Sequence, residues 1–144
     1  MEAQSVAHDV ELRLPEDGDS AARARDLTRE LLGRCAYRGR HDDVVLVVSE
    51  LVSNALRHGR GAPVVRLVGA EERVRVEVTD SSPALPAPRP SGPDGGWGLK
   101  VVERLCTGWG TTGHGPGKTV WCELRPRRTG PDGPRLVSAR GPAV

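Results

Sequence analysis

The run from Val47 to Gly59 is the segment that most restricts the folds open to this chain. At about 100° per residue, Val44, Val48, Leu51, Val52 and Ala55 gather in one apolar arc, as expected for an amphipathic helix lying on a core. Glu50 and Asn54 are four residues apart, so they stack on one side at the margin of that arc. Arg57 and His58 continue the same side one turn later. Taken alone, a Glu and an Asn on a helix margin are a solvated surface. The same pair can also serve a site, because the carboxylate is a base and the amide oxygen is a hard neutral ligand suited to Mg²⁺. Other segments must decide.

The rest of the core has to be aliphatic. The chain of 144 residues is the size of one domain, and 37% of it is hydrophobic. It has no Phe; Trp97, Trp109, Trp121 and Tyr37 are its aromatics. A net charge of +2 does not point to nucleic acid. Cys35, Cys106 and Cys122 show neither a CxxC nor a Cys/His zinc spacing and read as small, reduced core residues. The N-terminus lacks a basic stretch followed by an apolar run, and no segment approaches 18 consecutive apolar residues. A soluble, cytoplasmic protein without membrane association is expected.

Residues 10–14 alternate apolar and polar and predict a short strand. Residues 21–35 carry a helical pattern through Ala24, Leu27, Leu31 and Cys35, after a turn at 17–20. The helix of the opening run covers about 41–58. Residues 63–69 and 73–79 predict a hairpin, with Val74, Val76 and Val78 facing the helices and Arg73, Arg75, Glu77 and Thr79 facing solvent. Between 81 and 96, five prolines and three glycines exclude regular structure. An irregular loop of that length is often a functional lid, although a disordered insert fits as well. A third helix follows Gly98. Residues 109–111 and 120–124 predict a last hairpin, joined by a link over 112–119. The Pro-, Gly- and Arg-rich residues 126–144 read as a disordered basic tail after a domain at 8–125. This order predicts an α+β fold: a two-layer α/β sandwich with helices on one face of a mixed, mostly antiparallel sheet.

Three further segments carry candidate chemistry. Asp80 ends a valine-rich strand, where a carboxylate needs a donor such as an adenine amino group, or simply starts a turn. Gly95-Gly96-Trp97-Gly98-Leu99 joins the loop to a helix, where glycine admits a ligand to the backbone and the helix start suits phosphate. In Gly117-Lys118-Thr119, Thr119 could offer a hydroxyl to a base or a bound water and Lys118 could lie near phosphate; a hairpin turn with a solvated Lys is the plainer reading.

The ordered set Glu50-x-x-x-Asn54, Asp80, Gly96-x-Gly98 and Gly117-x-Thr119 resembles the Bergerat-type, histidine-kinase-like ATP-binding fold. The short stand-alone form, with Glu50-Leu51-Val52-Ser53-Asn54-Ala55 leading to His58-Gly59, is similar to the bacterial anti-sigma factor serine/threonine kinases, particularly small actinobacterial regulators. The resemblance implies ATP and Mg²⁺ as cofactors. It implies Asn54 as the Mg²⁺ ligand, Glu50 as the general base and Asp80 as acceptor of the adenine amino group with Thr119 nearby. Gly96, Gly98 and Leu99 would lie along the phosphates, under a lid formed by residues 81–95. It further implies an anti-sigma factor antagonist or a sigma factor as partner, and a homodimer. One departure stands out: the family's Asp-x-Gly-x-Gly box is here Asp80-Ser81-Ser82-Pro83, without glycine's freedom to approach a base. The resemblance therefore leaves two functions open: a kinase that phosphorylates the antagonist and so regulates transcription, or a non-catalytic partner-switching module with weak or no nucleotide turnover. Nucleic-acid binding by the tail lacks stacking aromatics.

Overall fold

A computed structural model describes residues 7–15, 18–58, 61–81 and 97–127. Within these the order is β1 (His8–Arg13), α1 (Ser20–Arg34), α2 (His41–His58), β2 (Val64–Ala70), β3 (Arg73–Asp80), α3 (Trp97–Leu105), β4 (Gly108–His114) and β5 (Gly117–Leu124). The strands form one five-stranded sheet in the order β1-β2-β3-β5-β4. Every neighbouring pair is antiparallel, so the sheet expected to be mixed, mostly antiparallel, is antiparallel throughout its described strands. The helices pack on it to give the expected second layer.

The α1 helix begins where the Asp19 carbonyl accepts the Arg23 N–H at 2.9 Å, and the buried Ser20 hydroxyl donates to the Pro15 carbonyl. Ala24, Leu31 and Leu32 face the core, and the buried Thr28 hydroxyl is satisfied by the Ala24 carbonyl at 2.6 Å. The helix stops at Ala36, which takes a left-handed φ of 53°. The chain then turns through the buried Tyr37, which stacks on His41 at the start of α2.

The orientation of α2 is fixed by burial. Val44, Val47, Val48 and Val52 are all fully buried. Fully burying each such side chain stabilises by roughly 1.5–3 kcal/mol, so rotating the helix to another face would expose several at once. The valines of β3 lie opposite: Val74 and Val76 are fully buried, and Val78 is 2% exposed. α2 packs between α1 and α3 and across β3.

Three boundaries differ from expectation. β1 covers His8–Arg13 rather than 10–14. The α3 helix starts at Trp97 rather than after Gly98. The last hairpin is longer than the sequence pattern suggests: β4 and β5 pair from Gly108↔Glu123 to His114↔Gly117. Only Gly115 and Pro116 remain for the turn, with Gly115 at φ 56°. Cross-strand hydrogen bonding thus takes over most of what composition marks as a loop.

Candidate functional site

On α2, the buried valine stripe sets Glu50 and Asn54 at its margin, both half-buried. One residue before Glu50, the Ser49 hydroxyl accepts a hydrogen bond from Arg25 Nη1 at 3.3 Å, tying α1 to this turn. Among the described residues Glu50 forms no ion pair. The side chain of His58 lies outside the described residues.

The other end of the site is built by β3 and β5. Their register sets Thr79 opposite Thr119 and Asp80 opposite Lys118. The two threonine hydroxyls hydrogen-bond at 2.7 Å. Asp80 and Lys118 fall on the other face, in phase with Val78 and Val120, and are buried with the core. Lys118 Nζ donates to both carboxylate oxygens of Asp80, at 3.0 and 2.9 Å. The side chains are only 6% and 3% exposed. Each charge is the partner that keeps the other from standing uncompensated in the interior.

Gly117 makes this approach possible. A Cβ at that position would overlap the backbone carbonyl oxygen of Asp80, so β5 enters close beneath the end of β3 only because the residue is glycine. Nearby, Gly61 takes a φ of 76°, and a Cβ there would stand 3.3 Å from Ser81 Oγ. Ser81, the one described residue of the run Ser81-Ser82-Pro83, therefore faces the segment after α2.

The expected site residues are thus divided. Glu50 and Asn54 share one turn of a helix that lies across β3, the strand that ends in Asp80. Thr119 meets Thr79, and Asp80 meets Lys118, which the sequence pattern placed in a solvated turn or near phosphate. Gly98 and Leu99 fall in the first turn of α3, packed beside α2. Gly96 and the lid, apart from Ser81, lie outside the described residues, as does the expected tail beyond residue 127. The burial of Lys118 against Asp80, and the close approach at Gly117 that permits it, are what the sequence pattern left unread. Their signal was strand periodicity, because Lys118 is in step with Val120, Cys122 and Leu124.

For a metal-bound nucleotide, the α2 end fits by donor chemistry: a carboxylate and a carboxamide are the hard oxygen groups Mg²⁺ takes. No cluster of three or more His, Cys, Asp or Glu able to hold a metal ion occurs among the described residues.

The described strands form an antiparallel sheet under a layer of helices, with α2 packed on β3. Residues 14–122 match the model of the histidine kinase-like ATPase domain, and the chain belongs to that family. Membership implies ATP binding. Among solved structures, the chain is similar to the RsbU and RsbW domains of Rv1364c from Mycobacterium tuberculosis. That likeness has a TM-score of 0.62 at 24% identity, over 82% of this chain and 32% of that one. The chain therefore spans about a third of that relative's length. A histidine kinase domain from the blue-light activated histidine kinase of Erythrobacter litoralis EL346 also matches, with a TM-score of 0.44 at 24% identity, over 75% of this chain and 60% of that one. No curated protein matches. No helix among the described residues is long and apolar enough to cross a membrane.

Proposed function

We propose that this chain is an anti-sigma factor of the protein serine/threonine kinase type, which phosphorylates a hydroxyl on an anti-sigma factor antagonist. The observation that carries this reading is the half-buried Glu50 and Asn54, one turn apart on the core helix of a histidine kinase-like ATPase fold. The fold shared with a structure containing an RsbW domain supports it. Bound Mg-ATP supplies an activated γ-phosphoryl group. Phosphoryl transfer asks of the protein mainly positioning and charge neutralisation. Asn54 would hold the metal through its amide oxygen. Glu50 accepts the proton of the incoming hydroxyl. Gly96, Gly98 and Leu99 would line the phosphates, with residues 81–95 as the lid. In this reading the ATP-binding domain spans 8–125, the protein works in the cytoplasm as a homodimer, and residues 126–144 are an appendage.

The experiment is transfer of labelled phosphate from Mg-ATP to candidate antagonists by the wild type and Glu50→Ala. Losing a general base costs about 10²-fold or more in rate, so transfer should fall by at least that factor while ATP affinity is retained. Transfer unchanged in Glu50→Ala removes Glu50 from the role of base. A second reading, a partner-switching module with little nucleotide turnover, is favoured by one observation: Asp80 is held by Lys118. Stable complex formation with a sigma factor in the absence of nucleotide, without transfer, would select it.

A further inference from the structure

The Asp80–Lys118 pair occupies the base end of the nucleotide site proposed above, and the role assigned to Lys118 rests on that reading. A strand-end aspartate that reads a base does so by accepting a hydrogen bond from an exocyclic amino group. Here both carboxylate oxygens already accept from one ammonium, at 3.0 and 2.9 Å, and almost nothing of either side chain is exposed. The arrangement is built rather than incidental. Cross-strand register sets the two residues opposite each other, their phase turns both inward with the core valines, and Gly117 removes the Cβ that would hold the strands apart. An ammonium adds charge–charge attraction to its hydrogen bonds with the carboxylate, which a neutral amino group does not. Each oxygen keeps a second lone pair, but with the side chain only 3% exposed the carboxylate has little room for a base while Lys118 is seated on it.

We infer that Lys118 is the specificity-determining residue of the base pocket. Its ammonium is the resident donor on Asp80, and the amino group of a nucleobase gains that carboxylate only by displacing it. Nucleotide entry is an exchange of donors. The flexible four-carbon stem of lysine lets the head group swing away while the backbone of β5 stays paired. With the lysine in place, the pocket discriminates poorly between purines that carry a 6-amino group and purines that lack it.

The test is calorimetric titration of the full chain with Mg-ATP and with the Mg²⁺ complex of purine riboside triphosphate, which has no 6-amino group. The wild type, Lys118→Met and Lys118→Gln are compared, with thermal melts confirming that each is folded. A neutral amino–carboxylate bond contributes on the order of tenfold in affinity. Lys118→Met should therefore bind ATP about tenfold tighter than the wild type, and bind purine riboside triphosphate unchanged within about twofold. Lys118→Gln puts a neutral donor in the place of the ammonium, so it should show part of the gain and decides the matter if the methionine variant does not fold. ATP binding that is unchanged or weaker in the folded variants overturns the role of Lys118 and leaves the nucleotide reading standing. Absence of binding by the wild type and both variants overturns both. Binding by the variants alone supports the exchange in its strongest form.

Discussion

The α2 end of the site and the β3–β5 end each present a carboxylate, and the two carboxylates are held in opposite ways. Glu50 stands half-buried at a helix margin, in no ion pair among the described residues. Asp80 is 3% exposed and bound on both oxygens by Lys118. The first is a charge kept near water, at little cost to the fold. The second is a charge that the fold has internalised, and its removal should be felt throughout the domain. A residue type in a motif shows what chemistry is available; the element opposite it decides whether that chemistry is already engaged.

The sharpest way to break this contrast is to compare Asp80→Ala with Glu50→Ala. Removing one member of a buried pair leaves an uncompensated buried charge and costs about 3–5 kcal/mol. Surface-type substitutions change stability by about 0.5 kcal/mol or less. Urea unfolding should therefore show a large fall for Asp80→Ala and almost none for Glu50→Ala. Equal losses would mean that the two ends are not differently held. Gly117→Ala comes next. Its Cβ meets backbone rather than a yielding side-chain tip, so the strands must part, at a cost of about 1–3 kcal/mol, again measurable by urea. An unchanged midpoint would show that the close approach is dispensable.

A third measurement separates burial from pairing. Burial, with the Asp43 charge second, pushes the Tyr37 hydroxyl up from 10.0 to about 12. The folded state thus favours the neutral phenol. Its contribution is fully present below pH 10 and is lost as pH rises from 10 toward 12, by at most about 3 kcal/mol. Tyr37→Phe should flatten the fall in stability over that window; an unchanged slope would exclude the phenol as its source. Burial also raises the Cys35 and Cys122 thiols, with the neighbouring Cys106 adding to the effect at Cys122. These groups lower alkaline stability in the same direction and should persist in the variant. The smallest effect is expected from deleting residues 128–144, which should leave ATP affinity unchanged by calorimetry. A loss of affinity would bring the tail into the site.

Much of the fold is written in local pattern. The valine arc of α2 and the alternation of Val74, Val76 and Val78 identify a helix and a strand because each period survives intact in the folded protein. The β4–β5 hairpin is less legible. Gly113, Gly115, Pro116 and Gly117 look like an extended loop, and only pairing with β3 and β4 draws Gly117 and Lys118 into a strand. That long-range pairing hid the partner of Asp80. A charged residue in step with Val120, Cys122 and Leu124 was the available clue, because period two carries Lys118 inward whatever its polarity. On α2, by contrast, Glu50 and Asn54 could be placed from spacing alone, since neighbours four apart on a helix need no other segment to bring them together.

The open face of the sheet has a consequence of another kind. Trp121, on β5 between the inward-facing Val120 and Cys122, is covered by the guanidinium of Arg75, 4.5 Å from the ring centroid, and Arg75 is held by Glu77 at 2.7 Å. Trp109, on the neighbouring strand, is 7% exposed, and its indole nitrogen is buried with no hydrogen-bond partner among the described residues. The hairpin therefore carries two fluorophores in contrasting surroundings, one in an apolar interior and one beneath a cation at the surface. Emission from the first should lie to the blue of the second. Trp121 lies three residues along β5 from Lys118, so its intensity offers an optical record of how that strand responds when the pocket is filled.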